Sequence, residues 1–114
     1  MLGEFYFRSM AKIAVIFAQK FEDSEYLQPA EALKRAGHEL VHVGGEEGGN
    51  VKAEPQGKIF QIDKAVKEVS VHEFDALLIP GGYFPDRLRF DEDEFQFVKA
   101  FVESGKFVLG TGRK

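Results

Sequence analysis

Two apolar runs constrain this chain more than anything else in it: "KIAVIFA" (Lys12 to Ala18) and "DALLIP" (Asp75 to Pro80). Neither alternates apolar with polar residues, so neither suits a strand with one wet face. An unbroken apolar run of this length is the pattern of a parallel strand covered on both sides. Parallel neighbours cannot be joined by a tight hairpin; they need a crossover, usually a helix. The rest of the sequence therefore has to supply helices.

"FEDSEYLQPAEALKRAGHE" follows the first run, with Leu27, Ala30 and Leu33 at helical spacing and Gly37 at a C-cap position. Pro29 is expected to kink this helix or to mark its regular start. "LVHV" (Leu40 to Val43) reads as a second strand and "GGEEGGN" as a surface turn. "KIFQID" alternates, which suits an exposed antiparallel strand paired near Val51. A last helix covers roughly Glu92 to Ser104, with Phe95, Val98, Phe101 and Val102 as its apolar face. Asp91 and Glu94 form a capping pair at its start, and Gly105 stops it. Phe107 to Leu109 read as a further short buried strand.

The expected fold class is α/β: a three-layer, doubly wound, mostly parallel sheet of flavodoxin-like type. Right-handed crossovers then bring the loops after Ala18, Pro80 and Leu109 to one edge of the sheet, where open α/β folds hold ligands.

Length and charge narrow the options. The 114 residues suit one domain. A net charge of −4, with scattered Lys and Arg, argues against nucleic acid as a partner. No run approaches the ~20 apolar residues of a membrane span. Residues 1–10, "MLGEFYFRSM", hold Glu4 and Arg8 within a short apolar stretch and make a poor signal peptide. They read as a leader or a misplaced start, with Met10 as the natural beginning, and a cytoplasmic location follows. The chain contains no cysteine, which removes disulfides, thiolate metal sites and a cysteine nucleophile.

Two loops at the ligand edge carry candidate chemistry. Glu22, Asp23 and Glu25 follow the first strand; they serve either as functional carboxylates or as helix-start acids stabilised by the macrodipole. In "PGGYFPDR" two glycines directly follow a buried strand, so the backbone can take positive φ and present bare N–H groups to an oxyanion, or simply turn. "DEDE" (Asp91 to Glu94) has the look of a metal site but reads as a helix start. His38, His42 and His72 pair with no serine, and the "GGEEGG" glycines lack the strand-turn-helix setting of a phosphate loop.

The segments "AKIAVIFAQKFEDSEYLQPAEALKRAGHELVHVG", "EFDALLIPGGYFPDRLR" and "FVKAFVESGKFV", in this order, resemble the PfpI family of intracellular protease-like proteins. That family lies within the superfamily of the Parkinson-disease protein deglycase, which has a class I glutamine-amidotransferase-like fold. The similarity runs from about Lys12 to Val108. It implies a cysteine-dependent hydrolase acting on peptides or on small carbonyl compounds, without cofactor or metal, and assembled as a homo-oligomer.

Residue by residue, the resemblance makes Glu25 the glutamate that hydrogen-bonds the reactive thiol, with Glu22 beside it. It makes Gly82 the oxyanion donor and Asp86 the carboxylate that reaches toward a neighbouring subunit's histidine. The nucleophile is missing. Gly112 falls where the family carries its cysteine and Arg113 where a histidine is common, while Phe107 stands in place of a frequent proline. The abrupt divergence after Val108 favours a frameshift over a fragment or a shortened non-catalytic protein, so residues 11–114 are expected to be the N-terminal part of a C-terminally truncated domain. Such a chain is expected to be inactive. The alternative is a non-catalytic, stress-related oligomerising or binding protein. A flavodoxin-like small-molecule module ranks last, for want of a phosphate loop.

Overall fold

The computed structural model describes residues 11–82 and 90–112. The expected leader at residues 1–10 lies outside them. Strand β1 (Lys12–Val15) sits at the centre of the sheet, paired parallel with β2 (Glu39–Gly44) on one side and β6 (Ala76–Ile79) on the other. Two short strands, β3 (Asn50–Lys52) and β4 (Ile59–Gln61), form a separate antiparallel pair, as the alternation of "KIFQID" predicts. A two-residue β5 (Lys64–Ala65) extends the sheet beyond β2, and β7 (Phe107–Gly110) extends it beyond β6. Among the described residues the main sheet has the order β5-β2-β1-β6-β7, and all its pairings are parallel.

Helices cover both faces, which makes the three expected layers. Helix α1 (Asp23–Arg35) connects β1 to β2, and α2 (Glu92–Glu103) leads into β7. The chain moves one way from β1 to β2 and the other way from β6 to β7, so right-handed crossovers put the two helices on opposite faces. The burial pattern agrees. Ala14, Ile16, Val41, Val43, Leu77 and Ile79 pack under Phe95, Phe97, Val98 and Phe101 of α2. Ile13, Val15 and Leu78 pack under Tyr26 and Ala30 of α1, together with Phe60 of the antiparallel pair. Each fully buried large side chain contributes about 1.5–3 kcal/mol, so the four from α2 alone are a substantial fraction of the small core.

The helix ends follow from local chemistry. The Glu94 N–H donates to Asp91 Oδ1 at 2.8 Å and the Asp91 N–H to Glu94 Oε1 at 3.3 Å, a reciprocal capping box. Gly105 (φ +82) ends α2 in the left-handed region that L side chains avoid. Pro29 stands inside α1, so the helix begins regularly six residues before it rather than at it.

Three expectations need correction. Leu27 is 36% exposed, because the inner face of α1 is carried by Tyr26 and Ala30. Phe107 is 67% exposed and the rest of β7 only half-buried, because β7 is an edge strand of the described sheet. Phe97 joins the α2 face unforeseen, filling the gap against Phe74, whose ring centroid lies 6.3 Å away. Strand β1 is also shorter than "KIAVIFA", yet its bonding continues: the Ile16 and Ala18 N–H groups donate to the Leu78 and Pro80 carbonyls, both at 3.0 Å.

Candidate functional site

The loops after β1, β6 and β7 do meet at one edge of the sheet. Ile79 anchors the meeting point. Its carbonyl accepts from the Thr111 N–H at 3.1 Å and, across a tight turn, from the Gly82 N–H at 3.4 Å. Pro80 at the second turn position and Gly81 (φ +77) at the third are the signature of a type II turn. A Cβ on Gly81 would lie 2.5 Å from Phe21 Cβ, 2.9 Å from Phe21 Cα and 3.0 Å from Glu25 Oε1. Glycine is therefore required twice, by the dihedral and by the packing.

Glu25 reaches this turn from the first turn of α1. Its N–H donates to the Glu22 carbonyl at 2.9 Å, and its Oε1 accepts from the Glu22 N–H at 2.8 Å. The carboxylate thus bends back over the helix start and is held by the backbone. The start itself is fastened to the strand-pair segment: Glu54 N–H donates to the Phe21 carbonyl at 2.9 Å, and Asp23 N–H to the Glu54 carbonyl at 3.3 Å.

Thr111 closes the cluster from the β7 side. Its hydroxyl donates to the Glu25 carbonyl at 2.7 Å and accepts from the Gly81 N–H at 3.4 Å. Gly112 follows at φ +120, and a Cβ built on it would lie 2.8 Å from Glu25 Oε2 and 3.1 Å from Gly81 Cα. Glu25, Gly81 and Gly112 are thus in mutual contact, although far apart in sequence. Glu22 contributes backbone groups to the arrangement. Gly82 sits on the far side of the turn, where a Cβ would meet Ala18 Cβ and Ile79 Cγ2, both at 3.0 Å. Asp86 and Arg113 lie outside the described residues.

Sequence reasoning passed over Gly81 and Thr111 as site residues. The pair of glycines in "PGG" was visible, but which one touches the carboxylate depends on the turn type. Nothing local marked Thr111 either, since its partners are contributed by other segments.

An aromatic cluster supports the first loop from below. The rings of Phe17 and Phe21 lie 4.7 Å apart, and Phe17 stacks on Phe60 at 5.7 Å. Tyr26 donates its hydroxyl to His42 Nε2 at 2.6 Å, while His42 Nδ1 donates to the Gln61 carbonyl at 2.8 Å. That tautomer satisfies both ring nitrogens. Burial, followed by the nearby Asp63 carboxylate, pushes the Tyr26 phenol up to about 12. This histidine is structural, in a cluster that fixes where α1 begins. Among the described residues no three His, Asp or Glu side chains are grouped to hold a metal ion, and the acids at the start of α2 are occupied in its cap. No helix among them is long and apolar enough to cross a membrane.

Chemically, the meeting of the loops offers one oriented carboxylate, a turn of small residues that admits close approach, and a glycine next to the carboxylate. A side chain at position 112 would point at Glu25 Oε2.

Comparisons with known proteins agree with this geometry. A profile of the DJ-1/PfpI family matches residues 11–111. The chain is 47% identical over 98 residues to General stress protein 18 of Bacillus subtilis and 45% identical over 98 residues to Protein/nucleic acid deglycase 2 of Escherichia coli. Each alignment covers 86% of this chain and 57% of the relative, so the chain spans little more than half the length of these proteins. It matches a two-domain Anabaena variabilis protein with DJ-1/ThiJ/PfpI-like and ferritin-like domains at a TM-score of 0.74 and 36% identity, over 87% of this chain and 28% of that one. The chain belongs to the DJ-1/PfpI family.

Proposed function

We propose that this chain carries the supporting half of a cysteine-dependent hydrolase site, of the peptidase or deglycase kind, and that as written it performs no covalent catalysis. In this reading Glu25 is the carboxylate that would face a reactive thiol, Glu22 fixes it through the helix start, and Gly82 is the oxyanion donor. The Gly82 bond to Ile79 is long at 3.4 Å, which leaves its N–H weakly held, as is the Gly81 N–H at 3.4 Å from Thr111 Oγ1. Asp86 belongs to the reading through the family resemblance, as does homo-oligomeric assembly; a cytoplasmic location belongs to it because residues 1–10 make a poor signal peptide.

One observation carries it: a Cβ built on Gly112 falls 2.8 Å from Glu25 Oε2. A side chain there would press against the carboxylate inside van der Waals contact, on a backbone strained at φ +120, and glycine supplies none. With no thiol at this position, no thioester or hemithioacetal bond can form there, and thiol-dependent covalent hydrolysis is closed.

Gly112→Cys tests the placement, because it introduces the sole cysteine of the chain. A Glu25 side chain that touches the new thiol sets its surroundings, so Glu25→Gln should change the rate of alkylation by iodoacetamide near neutral pH by roughly several-fold. Equal rates in Gly112→Cys and Gly112→Cys/Glu25→Gln would remove Glu25 from contact with position 112.

A further inference from the structure

Pro29 stands inside α1, and its place there bears on the candidate site. In an α-helix the N–H of each residue donates to the carbonyl four residues earlier, and proline has no N–H. The carbonyl that Pro29 leaves without a helical donor is that of Glu25. The proline ring also crowds this carbonyl, which favours a partner lying off the helix. Such a partner is present: the Thr111 hydroxyl donates to the Glu25 carbonyl at 2.7 Å, from 86 residues away in the sequence.

A second contact fixes the direction of that hydroxyl. The Gly81 N–H, 3.4 Å from Thr111 Oγ1, can only donate, so it takes an oxygen lone pair and leaves the proton for Glu25. Thr111 is in turn anchored to the sheet, its N–H donating to the Ile79 carbonyl at 3.1 Å just beyond β7. The backbone of Glu25 is thus tied to β6 through one threonine, at the residue whose side chain forms the site. The far end of that side chain is held by the Glu22 N–H, 2.8 Å from Oε1.

We propose that Thr111 and Pro29 are positioning residues that act as one device: the proline frees the Glu25 carbonyl, the threonine captures it, and the capture sets where the Glu25 carboxylate stands against Gly81 and Gly112. Neither residue is assigned contact with a reacting atom; both act through Glu25. Valine at position 111 has the same shape as threonine but offers neither the Glu25 carbonyl nor the Gly81 N–H a hydroxyl. Alanine at position 29 restores a helical donor, so the carbonyl depends less on Thr111. The inference deepens the hydrolase reading and rests on it for the purpose of the carboxylate, while the device itself is testable without catalysis.

Amide hydrogen exchange of the full chain, resolved by NMR, is the test. The Glu22 amide reports the carboxylate, because Glu25 Oε1 is its acceptor. In Thr111→Val its exchange should quicken on the order of tenfold, the equivalent of one lost hydrogen bond. Thr111→Ser keeps the hydroxyl and should restore the parent rate. In a Pro29→Ala background the residue-29 N–H serves the carbonyl, so Thr111→Val should change the Glu22 rate less than about threefold. A Glu22 amide indifferent to Thr111→Val overturns the proposal. So does a loss that serine fails to restore, which would assign the role to the methyl group, or an equal effect with and without the proline. The parent gives a further reading without any variant. A Thr111 hydroxyl proton held by Glu25 exchanges slowly with water and shows its own resonance at low temperature; absence of that resonance overturns the proposal as well. None of these readings needs a thiol or turnover, so their failure leaves the hydrolase reading standing, and failure of that reading leaves them unchanged.

Discussion

Replacing Gly81 by alanine should destabilise the fold markedly more than the same replacement at Gly105, and the difference measures how tightly the turn is built onto the α1 loop. Both glycines are left-handed, with φ +77 and +82. That dihedral costs an L residue about 1–2 kcal/mol at either place. The surroundings differ. A Cβ on Gly105 would meet nothing within 4 Å, whereas one on Gly81 would stand 2.5 Å from Phe21 Cβ and 2.9 Å from Phe21 Cα. Phe21 is buried against Phe17 and Phe60 and bonded through its backbone to Glu54, so it cannot retreat cheaply. Overpacking of this kind costs about 1–3 kcal/mol. Gly81→Ala should therefore cost about 2–5 kcal/mol and Gly105→Ala about 1–2 kcal/mol. Urea unfolding followed by circular dichroism gives both values, with the m-value checking that the unfolding transition is otherwise unchanged. Equal losses in the two variants would refute the contact between the turn and Phe21, and with it the fixed position of Glu25.

Two further outcomes follow from ionisable groups. Burial, with the Asp91 charge next in size, raises the Glu94 carboxyl from 4.5 to about 7. The folded state then holds a proton that the unfolded state has lost, so the Glu94 term favours folding most below pH ~4.5 and stability falls as pH rises toward about 7. After discounting for partial exposure, the fall is on the order of 1–2 kcal/mol. Glu94→Gln keeps the capping acceptor without the titration and should flatten the unfolding free energy across that window; an unchanged slope would contradict it. Tyr26→Phe should cost about 1–2 kcal/mol, because it leaves His42 Nε2 without its donor. Ultraviolet titration should also lose the tyrosine that ionises near 12, and a variant as stable as the parent would show the Tyr26–His42 bond to be unimportant.

The fold was largely legible because its determinants are local. Unbroken apolar runs mark β1 and β6, the alternation in "KIFQID" marks β4, and the Asp91–Glu94 spacing marks the start of α2. Periodicity places a side chain on a face without saying what lies over that face. Leu27 fits the helical spacing but points beyond the edge of the sheet contact, and Phe107 belongs to a strand that nothing among the described residues pairs on its outer side. Strand β5 escaped notice because two residues carry no period. The site divides in the same way. Glu25 and the "PGG" turn were visible as residues in suggestive places. Their contact with Gly112 and the tie through Thr111, 86 residues from Glu25, depend on distant segments whose meeting only the assembled sheet determines.

The account rests on the claim that Glu25 faces a position with no nucleophile. The most direct measurement is turnover of methylglyoxal and of a fluorogenic peptide by the purified chain, with Glu25→Ala alongside. The account predicts consumption of both at the rate of buffer alone, unchanged by the substitution. Turnover well above buffer that persists after alkylating reagents and disappears in Glu25→Ala would contradict it, because catalysis would then be running at this site without a thiol.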